Sequence, residues 1–167
     1  MESINDPIFH RVSVRQFLET PVESEKTERI LRAAMASPSA VNQQPWEFYV
    51  VKDKALLEQL SSCSPYASCI AHAPQAIVPV WKTDCMLPEF AQIDLSIAME
   101  HIWLEADLLG LGGVWLSLAP YEERMKKAEK ILSLPKNHRA FALFPYGYPK
   151  MERAQQNRFD ESRIHWI

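Results

Sequence analysis

Residues 89–118 read EFAQIDLSIAMEHIWLEADLLGLGGVWLSL, and the reading of this stretch decides the fold. Its first part, Glu89 to Leu109, predicts a long helix in which Ile93, Leu95, Ile97, Met99, Ile102, Trp103, Leu104 and Leu108 leave most sides apolar. A helix apolar nearly all round is buried in a core or set against a second subunit. Gly110, Gly112 and Gly113 follow in one loop, and the chain has only one other glycine, Gly147. Backbone freedom concentrated at one place has two readings. It permits a close approach to something flat or bulky, or it makes a tight helix-to-strand turn. The loop feeds a predicted strand, Val114 to Leu118.

Working outward, Ser24 is placed to cap a helix running to about Ala36, with Ile30, Leu31, Ala34 and Met35 on its apolar face. Ser37-Pro38-Ser39 ends that helix, and Trp46 to Val51, dense in aromatic and β-branched residues, predicts a strand. Asp53 caps a short helix carrying Leu56, Leu57 and Leu60, Pro65 starts another helical segment, and Ala76 to Trp81 reads as a buried strand. Beyond the glycine loop, Tyr121 to Leu132 is amphipathic and helical, and Ala140 to Tyr146 is the last strand. Helices and strands interleave without a regular βαβ rhythm. That order predicts a mixed sheet with helices on both faces.

The 167 residues suit a single domain, residues 1–167, and 47% apolar content is enough for a core. The formal net charge of −3 provides no electrostatic footprint for nucleic acid or an anionic membrane. Met1 to His10 lacks the apolar run of a leader, and the uncharged stretch Leu108 to Tyr121 is too short to span a bilayer. Cys63, Cys69 and Cys85 are odd in number with no CxxC, which fits reduced thiols in a cytoplasmic protein better than a disulfide framework or a zinc site.

Two segments carry candidate chemistry. Arg11-x-Ser13-x-Arg15, if extended, puts two guanidiniums and a hydroxyl on one side, which suits a phosphate or a solvated basic edge. Pro38-Ser39-Ala40-Val41-Asn42-Gln43-Gln44-Pro45-Trp46 offers amides whose donors and acceptors match the edge of a flavin pyrimidine or a base. It also reads as a capped loop anchored by Trp46. The chain has no GxSxG elbow, GxGxxG, P-loop or HExxH, and its five histidines show no metal-ligand spacing. Glu100, Glu105 and Asp107 read as surface contacts or helix-end effects. Polar cradles without a nucleophile or a metal point to a cofactor that does the chemistry.

Taken in order, these segments resemble the nitroreductase family of FMN flavoproteins, in its compact branch. The resemblance rests on Arg11-Val12-Ser13-Val14-Arg15-Gln16-Phe17, Ile30 to Ala36, the Pro38 to Phe48 stretch, Gly110-Leu111-Gly112-Gly113-Val114-Trp115-Leu116, Leu134-Pro135 and Gly147-Tyr148-Pro149 with a basic tail. It implies an α+β, three-layer α-β-α sandwich with a mixed, mainly antiparallel sheet and a C-terminal tail extending onto the partner of a homodimer. It also implies FMN as cofactor, NADH or NADPH as electron donor, and a small acceptor such as a nitroaromatic or quinone, reduced by a ping-pong cycle. Rival functions on the same fold are reductive dehalogenation, flavin breakdown, or a non-catalytic flavin-binding module.

Carried over residue by residue, the resemblance implies that Arg11 and Ser13 hold the FMN phosphate with Arg158 of the tail, and that Val12 is a cofactor-binding position beside them. Arg15 would be the cation beside the N1/O2 side of the ring, an electrostatic role, with the chemistry on flavin N5 and no catalytic side chain or metal. Pro38, Ser39, Ala40, Asn42 and Gln44 would reach flavin across the dimer interface, and Gly112, Gly113, Leu116 and Ser117 would line the ring. The chain departs from the family at Val12, where a second basic residue is frequent. It departs again at Lys82 to Pro88, where larger members insert a helical excursion.

Overall fold

A computed structural model describes residues 6–151 and 154–167. Residues 1–5 and 152–153 lie outside it, and with them half of Met1 to His10, the segment read as lacking a leader, and Arg153 of the tail. The chain forms α1 (Pro7–His10), α2 (Ser24–Met35), β1 (Trp46–Val51), α3 (Lys54–Leu60), β2 (Gln75–Lys82), α4 (Ala91–Leu108), β3 (Gly112–Gly113), β4 (Leu116–Ser117), α5 (Glu122–Ile131), β5 (His138–Ala140) and β6 (Ala142–Gly147). This is an α+β fold around a six-stranded sheet with the path β1-β2-β6-β3, where β4 pairs with β6 and β5 with β2.

The strand pairs are antiparallel, and a single parallel bridge, Ser13 to Gly113, makes the sheet mixed. Every residue of β6 and all but the last of β2 are buried, which a sheet reaches only when both faces are covered. α4 packs on β2 and β3 with α2 against it, while α5 packs on β5 and α3. The long helix begins two residues later than its pattern predicts, because Pro88–Phe90 forms a 3-10 turn first.

Four local expectations need correction. Ser24 is the first helical residue and caps nothing; Glu23 holds the N-cap position, its carboxylate accepting from the Tyr148 hydroxyl at 2.8 Å. Pro65 sits in a turn, and the helical piece that follows is the 3-10 segment Ser68–His72. The expected Val114 to Leu118 strand is two short pieces, Gly112–Gly113 and Leu116–Ser117, in one register against β6. Pro145 lies opposite the gap, and a proline has no N–H to give the ladder.

The last strand is likewise divided. β2 pairs Val80 with Ala140 but Ile77 with Phe144, so one extra residue enters the β5–β6 side. The bulge sits at Phe141, whose N–H donates to Pro79 O at 3.0 Å, again beside a residue without an N–H.

Candidate functional site

Arg11 ends the first turn of helix, its N–H donating to Pro7 O at 3.0 Å. Two residues on, Ser13 bridges to Gly113, and the Val14 N–H donates to Gly113 O at 2.9 Å. Val14 is buried with Phe17 and Ala73, and Val12 packs on them. Val12 and Val14 therefore pack inward, while the Arg11 side chain turns to Trp103 and Arg15 lies exposed. Arg15 is exposed and has no ion-pair partner among the described residues. Its charge pulls the nearby Cys69 thiol down against burial, which is the larger effect and leaves that thiol raised.

The Arg11 guanidinium lies over the Trp103 ring, 4.0 Å from its centroid, and its Nε is 3.7 Å from Glu100 Oε1. Arg11 and Arg158 line one cavity of about 750 Å³, together with the amides of Gln155, Gln156 and Asn157 and the ring of Phe9. Among the described residues no carboxylate lines it. Two fixed cations and several amides suit an anion with hydroxyl groups beside it. Of the residues expected to touch cofactor, only Arg11 and Arg158 share this cavity.

The loop around residue 40 is built differently. Ala40–Asn42 is a 3-10 turn, and Val41, Asn42 and Gln44 have positive φ values of 46°, 56° and 46°. The Ser39 hydroxyl accepts the Gln44 N–H at 3.0 Å, and Gln44 Nε2 donates to Asn42 Oδ1 at 2.9 Å. Among the described residues, that leaves the Asn42 amide donor and the Gln44 carbonyl free on exposed side chains. Pro38 is exposed too, and no hydrogen bond links this loop to the 11–15 segment among the described residues.

Two residues that hold the loop, Asp94 and Gln43, were not singled out from the sequence. Asp94, 2% exposed on α4, accepts from the Ala40 N–H at 2.9 Å and from Gln43 Nε2 at 2.7 Å. The available signal was a lone carboxylate between Ile93 and Leu95 in an apolar helix. Glu100, Glu105 and Asp107, by contrast, face Arg11, Arg29 and His10 respectively, the surface contacts that their composition predicts.

The glycines answer to the protein itself. Gly110 (φ 74°) takes the left-handed position after α4, where its N–H donates to Asp107 O and the Leu111 N–H to Ala106 O, both at 2.9 Å. A Cβ on Gly112 would come within 2.5 Å of Val14 Cγ2, and one on Gly113 would overlap the Phe144 ring. The turn reading accounts for Gly110, and a close approach to Val14 and to the Phe144 ring accounts for Gly112 and Gly113. Leu116 is buried and Ser117 exposed, both paired with β6.

Among the described residues no group of three or more His, Cys, Asp or Glu is placed to hold a metal ion. Nor is any described helix long and apolar enough to cross a membrane.

The model of the nitroreductase family matches residues 8–64 and 64–148. A protein of Archaeoglobus fulgidus, named for NADH dehydrogenase and NAD(P)H nitroreductase activities, is 37% identical over 99% of this chain and 98% of its own length. A Clostridium acetobutylicum crystal structure named for an NADH oxidase superposes with a TM-score of 0.93 at 42% identity, covering 96% of this chain and 98% of the other. The structure of an FMN-dependent nitroreductase from Clostridium difficile superposes at 0.90 with 29% identity, covering 96% and 97%. The chain therefore belongs to the nitroreductase family.

Proposed function

We infer that the protein is an FMN-dependent oxidoreductase that passes two electrons from NADH or NADPH to a small acceptor such as a nitroaromatic or quinone. It would work as one domain per subunit of a cytoplasmic homodimer. The observation that carries this reading is the cavity shared by Arg11 and Arg158, residues from opposite ends of the chain, with amides and, among the described residues, no carboxylate in its lining. Those residues fit a phosphate with a polyol attached. When bound there, FMN would take a hydride from the nicotinamide at N5 and hand two electrons to the acceptor, the two substrates using one site in turn.

The chain's own residues would position and polarise. Arg11, Ser13 and Arg158 neutralise and hold the phosphate, while Val12 packs inward and adds no charge there. Arg15, exposed and unpaired among the described residues, is the cation available to favour a reduced, anionic ring. Pro38, Ser39, Ala40, Asn42 and Gln44 would serve the partner's flavin, which is consistent with their separation from the 11–15 segment. Gly112, Gly113, Leu116 and Ser117 would flank the ring as a close-packed wall.

The dimer reading rests on exposed apolar groups. Phe90 and Ile93 at the start of α4 are 42% and 56% exposed. In the tail, Trp166 is 91% exposed and Ile167 fully so. Keeping such side chains in water forgoes roughly 1.5–3 kcal/mol each. The tail would cross to the partner beyond Arg158.

Extraction of the purified protein tests the core of this reading. An FMN absorbance that NADH or NADPH bleaches, and that an added quinone or nitroaromatic restores, supports it. Bound flavin that no nicotinamide bleaches would instead make the protein a flavin-binding module.

A further inference from the structure

The loop 40–44 holds a shape that Val41 and Gln44 resist. Val41, Asn42 and Gln44 occupy the left-handed region although none is glycine, and Val41 is β-branched, for which such a φ is a genuine outlier. Val41 is also 64% exposed, so burial of its own side chain does not impose the conformation. The restraint comes from a helix outside the loop.

Asp94 is the one buried carboxylate among the described residues, and no Lys or Arg pairs with it there. Burying a carboxylate is costly unless hydrogen bonds compensate, and its place in the first turn of α4 offsets only part of that cost. Both oxygens of Asp94 are spent on the loop: Oδ1 on the Ala40 N–H and Oδ2 on Gln43 Nε2. Gln43 then reaches the 85–88 segment, its Oε1 accepting the Leu87 N–H at 2.7 Å and its Nε2 donating to Leu87 O at 3.0 Å. Those two bonds fix which way the Gln43 amide points, since a flip would set N–H against N–H at Leu87. Two donors converge on the Asp94 carboxylate, the Ala40 N–H and Gln43 Nε2, and Gln43 is itself oriented by Leu87.

We propose that Asp94 is a positioning residue of the flavin site, its carboxylate acting through the Ala40 N–H and the Gln43 amide to hold the loop in the shape that presents Asn42 and Gln44 to the cofactor. The proposal rests on the reading that this loop touches flavin. It adds that α4 is needed to hold the loop's shape, beside the bonds that the loop makes within itself.

A double-mutant cycle tests it. Asp94→Asn keeps the size of the side chain but faces the Gln43 amide with a second donor. Gln43→Glu faces Asp94 with a second acceptor. The pair together restores a donor against an acceptor between positions 43 and 94; the carboxylate introduced at position 43 still accepts from the Leu87 N–H but no longer donates to Leu87 O. Two quantities are read on each folded protein: FMN dissociation constant by fluorescence, and hydrogen exchange of the 40–44 amides without added flavin. Each single variant should weaken FMN by about tenfold or more and speed exchange of those amides by a similar factor, with the double variant closer to the parent in both than Gln43→Glu alone. Additive effects in the cycle, or parent-like FMN affinity in Asp94→Asn, would overturn the proposal. Should Asp94→Asn not fold, Gln43→Ala cuts the same bridge from the loop side and is judged by the same two readings. If exchange responds in the cycle while the parent protein binds no FMN, the flavin reading has failed and the restraint by α4 has not.

Discussion

The guanidinium of Arg11 stacks on the Trp103 ring at 4.0 Å, joining the segment after α1 to the middle of α4. The indole Nε1 of Trp103 is buried and has no hydrogen-bond partner among the described residues, so the ring serves through its face. A cation–π contact of this kind is worth about 0.5–2 kcal/mol and orients the side chain without consuming its N–H donors. Trp103→Leu should therefore weaken FMN by about three- to tenfold, while Trp103→Phe retains most of the affinity. Arg11→Ala should weaken FMN by ten- to a hundredfold, on the order of 1.5–3 kcal/mol for a charge-assisted contact. Titration of the apoprotein with FMN measures all three, and equal affinities would remove Arg11 from the phosphate site.

Arg15→Gln should keep FMN bound and lower its midpoint potential. A cation near the ring favours the reduced, negatively charged form, and removing it takes that preference away. Redox titration against a reference dye decides the matter. A potential equal to the parent's would mean that Arg15 acts elsewhere.

A chain ending at Met151 loses both Arg158 and the apolar cluster at Ile164, Trp166 and Ile167. It should release FMN more readily and dissociate from dimer to monomer at lower dilution than the full chain. Light scattering with flavin retention tests both at once. A truncated protein that stays a tight, flavin-loaded dimer would show that the tail is dispensable and that Arg158 is not a ligand.

Gly113→Ala should destabilise the fold by about 1–3 kcal/mol, the usual cost of overpacking. The Phe144 ring it would strike is fully buried, 6.1 Å from Trp103 and 5.8 Å from Tyr146 between ring centroids, and has little room to move. Urea denaturation of the variant and the parent checks the value.

Burial pushes the Tyr146 phenol up to about 12, more than the hydrogen bonds with Thr27 and Gln75 pull it down. An unfolded tyrosine ionises near 10, so unfolding releases this proton between the two values. The stability contributed by keeping the phenol neutral is complete below about pH 10 and is lost as pH rises through about 12, roughly 2–3 kcal/mol in all. Tyr146→Phe should flatten that part of the stability curve. Denaturation midpoints at about pH 9 and pH 11.5 for both proteins measure the difference.

Periodicity along the chain was enough to place α4, α5, β1 and β2 within a residue or two, because hydrophobic spacing is a local property that survives whatever the element packs against. Val12 and Val14 pack inward as alternation in their segment implies, whereas of Arg11, Ser13 and Arg15 only Arg11 lines the cavity. The divided strands escaped that reading: the gap at Val114 and the bulge at Phe141 arise from Pro145 and Pro79 on neighbouring strands. Likewise Gly112 and Gly113 are explained by Val14 and Phe144, and Asp94 by Ala40 and Gln43, partners far away in sequence. What the sequence alone determined, then, was the placing of the main helices and of β1 and β2, with their apolar faces. Only tertiary structure decided which groups those faces meet, because excluded volume and hydrogen-bond satisfaction act between chain segments that no local pattern relates.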